Sequence, residues 1–517
     1  KLKKGRSVII ANNNDPDRAD HAGTIKELDQ INRSLVLRKG FSKEKKQLPR
    51  TLSIGEKVME HSRFENLNKN IYNFCDNLLE NKKGYDALKS FLNRDIPNIK
   101  GIKSGDKIIK SENFDKEIPN IISRLNSSYI FLQGGPGAGK TFHTANAIVE
   151  LIKKNKKIAV TANSHKVIHN LLERIESIAI EQNFDFKGLK KGNPNDVDSF
   201  YDGKFIKTDS NERHFIDALK DNKILLYAGT KYHLASWYYR SKIDFLFIEE
   251  ASQFSLADCI SLGGIATNIV LVGDQQQLGQ PTQASHPNLS GSSVLEYLLE
   301  GKDTVPADRG IFLTRTYRMH PNINNFISEN FYENKLLTDI SAKSRKVNYP
   351  KNFFINNDGI HTVLMNHTDC SQTSEEEFKK IDEIIKKLSG QKFIDSDNTE
   401  RPLTISDFLI ISPYNAQVNF LLERLPKGTR CGTIDRFQGQ EAPITIISMT
   451  SSDVENLPRD KSFFFNRNRL NVAVSRAQCS SIVLLNPQLL EAPPKTLEEF
   501  KMINNFNKLL KYKTKTN

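Results

Sequence analysis

Residues 129–141 read YIFLQGGPGAGKT, from Tyr129 to Thr141. The apolar run Tyr129, Ile130, Phe131, Leu132 predicts a buried strand. It leads into Gly134-Gly135-Pro136-Gly137-Ala138-Gly139-Lys140-Thr141, which fits the pattern G-x-x-x-x-G-K-[ST]. The stretch that follows, TFHTANAIVELIKK, places Ala145, Ile148, Leu151 and Ile152 at helical spacing. Strand, glycine loop and helix in that order are the context a phosphate-binding P-loop requires. The glycines let backbone N–H groups curl around a phosphate, and the helix N-terminus adds partial positive charge. Lys140 would then reach the β- and γ-phosphates, and the Thr141 hydroxyl would hold Mg²⁺.

Such a loop needs acidic groups on a neighbouring strand. The run Asp244-Phe245-Leu246-Phe247-Ile248-Glu249-Glu250 supplies two at a predicted strand end. Glu249 is assigned to the metal, held through water, and Glu250 to the attacking water. A second apolar strand ends in Gly273-Asp274-Gln275-Gln276-Gln277-Leu278, where Gln277 is placed to sense the γ-phosphate. Hydrolysis in a two-lobed enzyme also draws positive charge from the opposite lobe. Arg318, in TYRMHP, and Arg476, in NVAVSRA, are the candidates for this charge.

The chain has 517 residues, more than one core accommodates, and two to four domains are expected. With 38% hydrophobic and 26% charged residues it has the composition of a soluble globular protein. A net charge of +13 favours a polyanionic partner, most simply nucleic acid. The five cysteines (Cys75, Cys259, Cys370, Cys431, Cys479) are scattered without a C-x-x-C pair. That argues against a zinc site, an iron–sulfur cluster or a disulfide framework, and fits a reducing, cytoplasmic compartment. No apolar run approaches the length of a membrane span, so no membrane partner is expected. The chain opens KLKKGR with no initiator Met, as a fragment of a longer protein would, and no signal-peptide core follows.

Residues 1–60 read as short strands separated by Asx- and Gly-rich turns, a small β-barrel or sheet module. Residues 61–125 switch to helical spacing and read as a helical accessory segment. From residue 126 strands alternate with helices, which predicts parallel sheets with crossover helices. The fold class is therefore α/β. A first lobe spans 126–305, with a polar insertion at about 183–222. A second spans 306–490, opening with a strand at Ile311–Leu313, and 491–517 is a Lys-rich tail read as frayed.

Nine segments occur in a telling order: GGPGAGKT, TANSH (161–165), AGT (228–230), IEEASQ (248–253), GDQQQL (273–278), YRMHP (317–321), SPYNAQ (412–417), GTIDRFQGQE (432–441) and RLNVAVSRA (469–477). This series resembles the motifs of superfamily 1 helicases, in the Upf-like (1B) branch related to the nonsense-mediated-decay helicase. The wording around TANSHK and QPTQASHPNLSG is similar to helicase regions of bacterial fusions with a RecB-like nuclease. The resemblance covers residues 126–490. It implies two RecA-like lobes with ATP and Mg²⁺ in the cleft, and an N-terminal β-barrel on a helical stalk. It implies the roles above for Lys140, Thr141, Glu249, Glu250, Gln277, Arg318 and Arg476. It further places Gly439 and Glu441 near the nucleotide and stacks Tyr317 on the base. Asn163, Ser164, Thr230, Tyr414, Asn415 and Gln438 would contact single-stranded backbone.

Two departures stand out. The Asp that usually precedes the catalytic Glu is here Glu249, one methylene longer. No glutamine lies between Gln47 and Gln133, so the adenine-reading glutamine of the family is not evident. No nuclease constellation is found within the chain: Glu80-Asn81-Lys82 lies in a Lys-rich helical context. A nuclease domain or subunit upstream is expected from the kinship alone.

The leading expectation is an ATP-dependent helicase or translocase that moves 5′ to 3′ on single-stranded DNA, as a monomer. A strand translocase that displaces proteins without unwinding, an RNA helicase, and a non-catalytic nucleotide-switched binding module are the alternatives.

Overall fold

The computed structural model describes residues 7–12, 15–29, 34–38 and 52–56 as backbone. It then describes residues 64–280, 286, 288–437, 439–453, 457, 461–491 and 493–512. The chain divides into two compact units, Lys1–Lys69 and Asn70–Asn517. In the first, four strands form an antiparallel sheet in the order Ser34–Arg38, Asp15–Asp29, Ser7–Asn12, Leu52–Glu56.

The second unit holds two RecA-like α/β lobes, each built on a parallel sheet. The first sheet has eight strands. From one edge these are Gly310–Leu313, Tyr129–Gly134, Ala266–Gly273, Ile243–Ile248, Ile158–Thr161, Leu226–Ala228, Gly188–Lys191 and Ile206–Asp209. The central strands are continuous apolar runs because helices cover both faces. Ile130, Leu132, Val160, Phe247 and Val270 share a buried core with Ile148 and Ile152 of the helix Lys140–Lys153 and with Leu171 and Ile175 of the helix His165–Glu181. The helix Phe114–Ser123 adds Ile118, Ile121 and Ile122 to that same core.

Two placements differ from the reading of the sequence. The strand Gly310–Leu313, expected to open the second lobe, pairs in parallel with Tyr129–Gly134 and closes the first sheet instead. Its apolar pattern suits any buried parallel strand, and only the pairing identifies its sheet. The polar stretch 183–222 carries the two strands Gly188–Lys191 and Ile206–Asp209, which extend the first sheet at its far edge. The buried carboxylate of Glu176 holds the loop between them. It accepts from the backbone N–H groups of Lys204 (3.1 Å), Phe205 (2.7 Å) and Ile206 (2.9 Å), and from the Tyr201 hydroxyl (3.1 Å).

The second sheet runs Gly359–Leu364, Ala477–Leu485, Ala442–Ser448, Phe408–Ile411, Arg430–Gly432, all parallel. The C-terminal stretch read as frayed contains the 15-residue helix Leu497–Lys511. Its Ile503, Phe506 and Leu509 join the second-lobe core, and the Tyr512 hydroxyl donates to the Asn322 carbonyl (3.0 Å). Apolar residues at i, i+3 and i+6 supply the buried stripe, which the surrounding lysines obscure in composition. Among the described residues no helix is long and apolar enough to cross a membrane.

Candidate active site

In parallel α/β sheets, ligands bind beyond the carboxyl ends of the strands. The ends of Tyr129–Gly134, Ile243–Ile248 and Ala266–Gly273 meet the second lobe around a cavity of about 570 Å³. The glycine loop forms its floor. Gly137 (φ 68°) and Gly139 (φ 78°) lie in the left-handed region, and Gly139 caps the helix Lys140–Lys153. At Gly137 a side chain would also collide with the second lobe: a Cβ there would stand 2.4 Å from Arg318 Cβ and 2.9 Å from Thr316 Oγ1. This close approach is fastened by two hydrogen bonds, Tyr317 N–H to Gly137 O (2.9 Å) and Thr316 Oγ1 to Pro136 O (2.8 Å).

On the first-lobe wall, Pro136, Gly137, Ala138, Gly139, Lys140 and Thr141 all line the cavity, with Gly134 and Gly135 directly before them. Lys140 Nζ donates to Gly134 O (2.7 Å). Glu249 and Glu250 end the strand Ile243–Ile248 and line the cavity as well. Glu250 is held at φ 52°, an unfavourable conformation for a residue with a Cβ and one that persists where surrounding structure imposes it. The buried Glu249 accepts from Thr141 Oγ1 at 3.4 Å through Oε1, while Oε2 is buried without a partner. Burial, then the charge of Glu250, pushes the Glu249 carboxyl up to about 8, against the pull of Lys140 and Thr141. A hard cation that keeps several waters and takes a hydroxyl and a carboxylate oxygen fits this pair. It would satisfy the orphaned oxygen and return Glu249 to its ionised form. The extra methylene does not keep Glu249 from the Thr141 hydroxyl.

Gln277 also lines the cavity, and its side-chain amide donates to Asp274 Oδ2 (2.8 Å). Asp274 is fully buried and accepts from the Tyr332 hydroxyl as well (2.6 Å). Burial raises its carboxyl above the ordinary carboxylate range.

From the second lobe, Arg318, Arg476 and Gly439 face the same cavity. Arg318 donates through Nε to Glu441 and through Nη1 to Ser475 O (3.3 Å). Glu441 lies behind Arg318, also accepts from Gln478 Nε2 (2.8 Å), and does not line the cavity. Burial works to raise the Glu441 carboxyl, but the guanidinium of Arg318, joined by the Gln478 hydrogen bond and the charge of Arg345, holds the group low. Arg476 is buried, with Nη1 on Gln440 O (3.3 Å) and Nε without a partner. Burial, then repulsion from Arg318, lowers it to about 9, while Glu250 across the cleft and Glu441 beside it pull the other way. Tyr317 is 44% exposed and lies beside Gly139, outside the cavity lining.

The residues assigned to a strand divide. Asn163 and Ser164 line the nucleotide cavity. Asn163 donates to Gln253 O, and Ser164 caps the helix His165–Glu181 by accepting from Val167 N–H (3.3 Å). Thr230 starts the short helix Lys231–Leu234 without a side-chain cap bond, and Asn415 is exposed at the start of Asn415–Arg424. Tyr414 is corrected by the structure: it is 4% exposed, stacks on Phe464 and accepts from Ser451 Oγ (3.3 Å) within the second-lobe core. A tyrosine within a strand-binding motif reads as a backbone contact until its burial is known. Gln438 lies outside the described residues.

Several groups of the cavity were not singled out in the sequence. Lys166, Gln253, Asp435 and Arg436 line it, and Arg436 adds a third second-lobe guanidinium. Each lies within or directly beside a quoted motif, but a motif does not tell which of its side chains turns inward. Among the described residues no group of three or more His, Cys, Asp and Glu gathers around a common metal position.

Two family models, each described as an AAA domain, match residues 119–282 and 291–488, one per lobe. The chain is 28% identical over 383 residues to the DNA replication ATP-dependent helicase/nuclease dna2 of Schizosaccharomyces pombe, covering 69% of this chain and 26% of that protein. It is 26% identical to the DNA polymerase alpha-associated DNA helicase A of the same organism (67% of this chain, 59% of that protein). It is 25% identical to the ATP-dependent helicase upf1, also of that yeast (79% and 48%). The chain thus spans between about a quarter and three-fifths of the length of these relatives. Paired P-loop-type lobes, arginines that meet the glycine loop across one cavity, and matches over both lobes lead to one placement: the chain belongs to the Upf1-like superfamily 1 helicases.

Proposed function

We propose that this chain is the motor of an ATP-driven helicase that moves 5′ to 3′ on single-stranded DNA. The observation that carries this reading is the single cavity in which Lys140 and Glu250 of one lobe face Arg318 and Arg476 of the other. In this reading the triphosphate lies in the glycine loop, with Lys140 on its β- and γ-phosphates. Thr141 and Glu249 hold Mg²⁺, which when bound neutralises phosphate charge. Glu250 orients and deprotonates the attacking water. Arg318 and Arg476 stabilise charge on the transferring phosphoryl group, an effect worth about 10³–10⁵ in rate for arginine fingers. Gln277 reports the state of the γ-phosphate, and Tyr317, beside Gly139, flanks the base.

The strand runs over Asn163, Ser164, Thr230 and Asn415, of which Asn163, Ser164 and Asn415 are exposed and Thr230 is half-buried, and Gln438 is proposed with them. Closure of the lobes on ATP moves one set of grips relative to the other, and hydrolysis reopens the cleft. Opening a duplex costs on the order of 1.4 kcal/mol per base-pair step, well within one hydrolysis event. DNA is preferred to RNA because two of the relatives above carry DNA in their names, and the helicase/nuclease relative supports a nuclease domain elsewhere in the complete protein. The scattered cysteines fit work in a reducing, intracellular compartment.

The test is steady-state ATP hydrolysis with single-stranded DNA, with RNA and without either, followed by unwinding of duplexes bearing a 5′ or a 3′ overhang. Stimulation by DNA and unwinding from the 5′ overhang are expected. Strand-independent hydrolysis, or a Lys140→Ala protein as active as the parent, would overturn the reading.

A further inference from the structure

The loop that carries Gln277 belongs to the first lobe, yet side chains of the second lobe hold its backbone. Asn468 Nδ2 donates to the carbonyls of Gln275 (2.9 Å) and Gln277 (2.8 Å). Asn471 Nδ2 donates to Gln276 O (2.7 Å) and to the Tyr332 hydroxyl (3.0 Å), which in turn donates to Asp274. Both asparagines lie on the helix Arg467–Val474, two residues before Arg476.

The junction converges on Asp303, which lies in none of the nine motifs. Its carbonyl accepts from Gln133 Nε2 (3.0 Å), on the residue directly before the glycine loop, and from Gln275 Nε2. Its carboxylate accepts from Gln276 Nε2 (2.9 Å) and forms a two-pronged pair with Arg467 of the second lobe (2.9 and 3.2 Å). Arg467 also donates to Asn330 O (2.6 Å) within its own lobe. One acidic residue thus touches the strand that enters the P-loop, the Gln277 loop and the helix that leads to the arginine.

We infer that Asp303 and Arg467 are positioning residues that make the placement of Gln277 depend on lobe closure. This rests on the helicase reading of the cleft. The two side chains are 33% and 32% exposed, so their attraction is largely screened and adds little to stability. A bidentate carboxylate–guanidinium pair does, however, set direction and register. When the lobes part, the Gln275–Gln277 carbonyls lose the amides of Asn468 and Asn471, and Gln276 keeps Asp303 while Asp303 loses Arg467. When they close, the same contacts set Gln277 against the cavity and Arg476 opposite it together. Gln276 Oε1 and Asn471 Oδ1 are buried at this junction without a hydrogen-bond partner.

Asp303→Ala, Arg467→Ala and the double variant test this, with Asn468→Ala as a milder fourth. Each single variant is expected to lower strand-stimulated kcat by about tenfold, with KM for ATP and strand affinity within about twofold of the parent. The double variant is expected to be no slower than the slower single variant, and Asp303→Glu to recover part of the rate. Hydrogen exchange across residues 274–278 is expected to accelerate in Arg467→Ala and Asn468→Ala, although both changes lie in the other lobe. Multiplying effects in the double variant, or exchange in that loop unchanged, would overturn the inference. A parent protein without strand-stimulated hydrolysis would instead defeat the helicase reading, and the exchange measurement would still decide the junction.

Discussion

The two walls of the cleft bury charge in different ways. On the first-lobe wall, Glu249 is raised to about 8 by burial and by its neighbour Glu250, and is eased by Lys140 and Thr141. All four belong to the same lobe. On the second-lobe wall, Arg476 is lowered to about 9 by burial and by Arg318, and Glu250 of the opposite lobe is one of the two groups that ease it. The phosphate wall is therefore electrostatically complete within its own lobe, whereas the arginine wall depends on the approach of the other. In the proposed motor, binding precedes closure, while the groups assigned to stabilising transferred charge come together only with it.

Substitutions on the two walls should separate these steps. Arg476→Ala is expected to reduce kcat by about 10³–10⁵ while nucleotide still binds. Fluorescent-nucleotide titration beside turnover would show it, and a matching loss of affinity would break the contrast between the walls. Glu250→Gln should lower kcat by about 10²–10⁴. Because Glu250 also offsets the charge of Arg476 across the cleft, this variant should weaken closure as well, which turnover measured beside nucleotide titration would show. Gly137→Ala places a Cβ against Arg318 and strains a residue at φ 68°, a cost of about 1–3 kcal/mol that should appear as a lower Tm and weaker closure.

The smallest effect expected concerns Glu249. Its folded pKa, about 8, lies above the ordinary 4.5, so the native state holds a proton that the unfolded state releases. The resulting stability is fully present below about pH 4.5 and is lost as pH rises through about 8. Glu249→Gln lacks this term. Its Tm should therefore gain on the parent's as pH rises from 5 to 9. Mg²⁺ and nucleotide should narrow the gap by giving the carboxylate a partner. Parallel melting curves at all pH values would show that Glu249 is not the strained group of the first wall.

The first-lobe wall was largely legible in the sequence, because its groups lie within a few residues of a strand end. Alternation of apolar runs with helical spacing located Tyr129–Gly134 and Ile243–Ile248, and side chains directly after such strands have few directions to take. The second-lobe wall was legible only in part. Arg318 and Arg476 were found through their motifs, but Arg436 was not distinguished from its neighbours, and Tyr414, assigned to strand backbone, is buried. Strand membership was equally opaque: Gly310–Leu313 has the pattern of either sheet, and a Lys-rich composition concealed the apolar stripe of Leu497–Lys511. In each case the deciding quantity was which partner surface a segment meets, and periodicity carries no information about that.

Sequence by itself determined the existence of a P-loop, the acidic pair, the order of motifs and the presence of two α/β halves, because these follow from local spacing and from the chemistry a phosphate demands. Only the tertiary structure decided that Arg318 and Arg476 face Lys140, that Glu249 Oε2 is buried without a partner, and that Asp303 ties three elements together. Those facts depend on contacts between residues that lie from about thirty to well over a hundred positions apart. Burial and proximity, which set charge and hydrogen bonding, come into being only when the chain has packed.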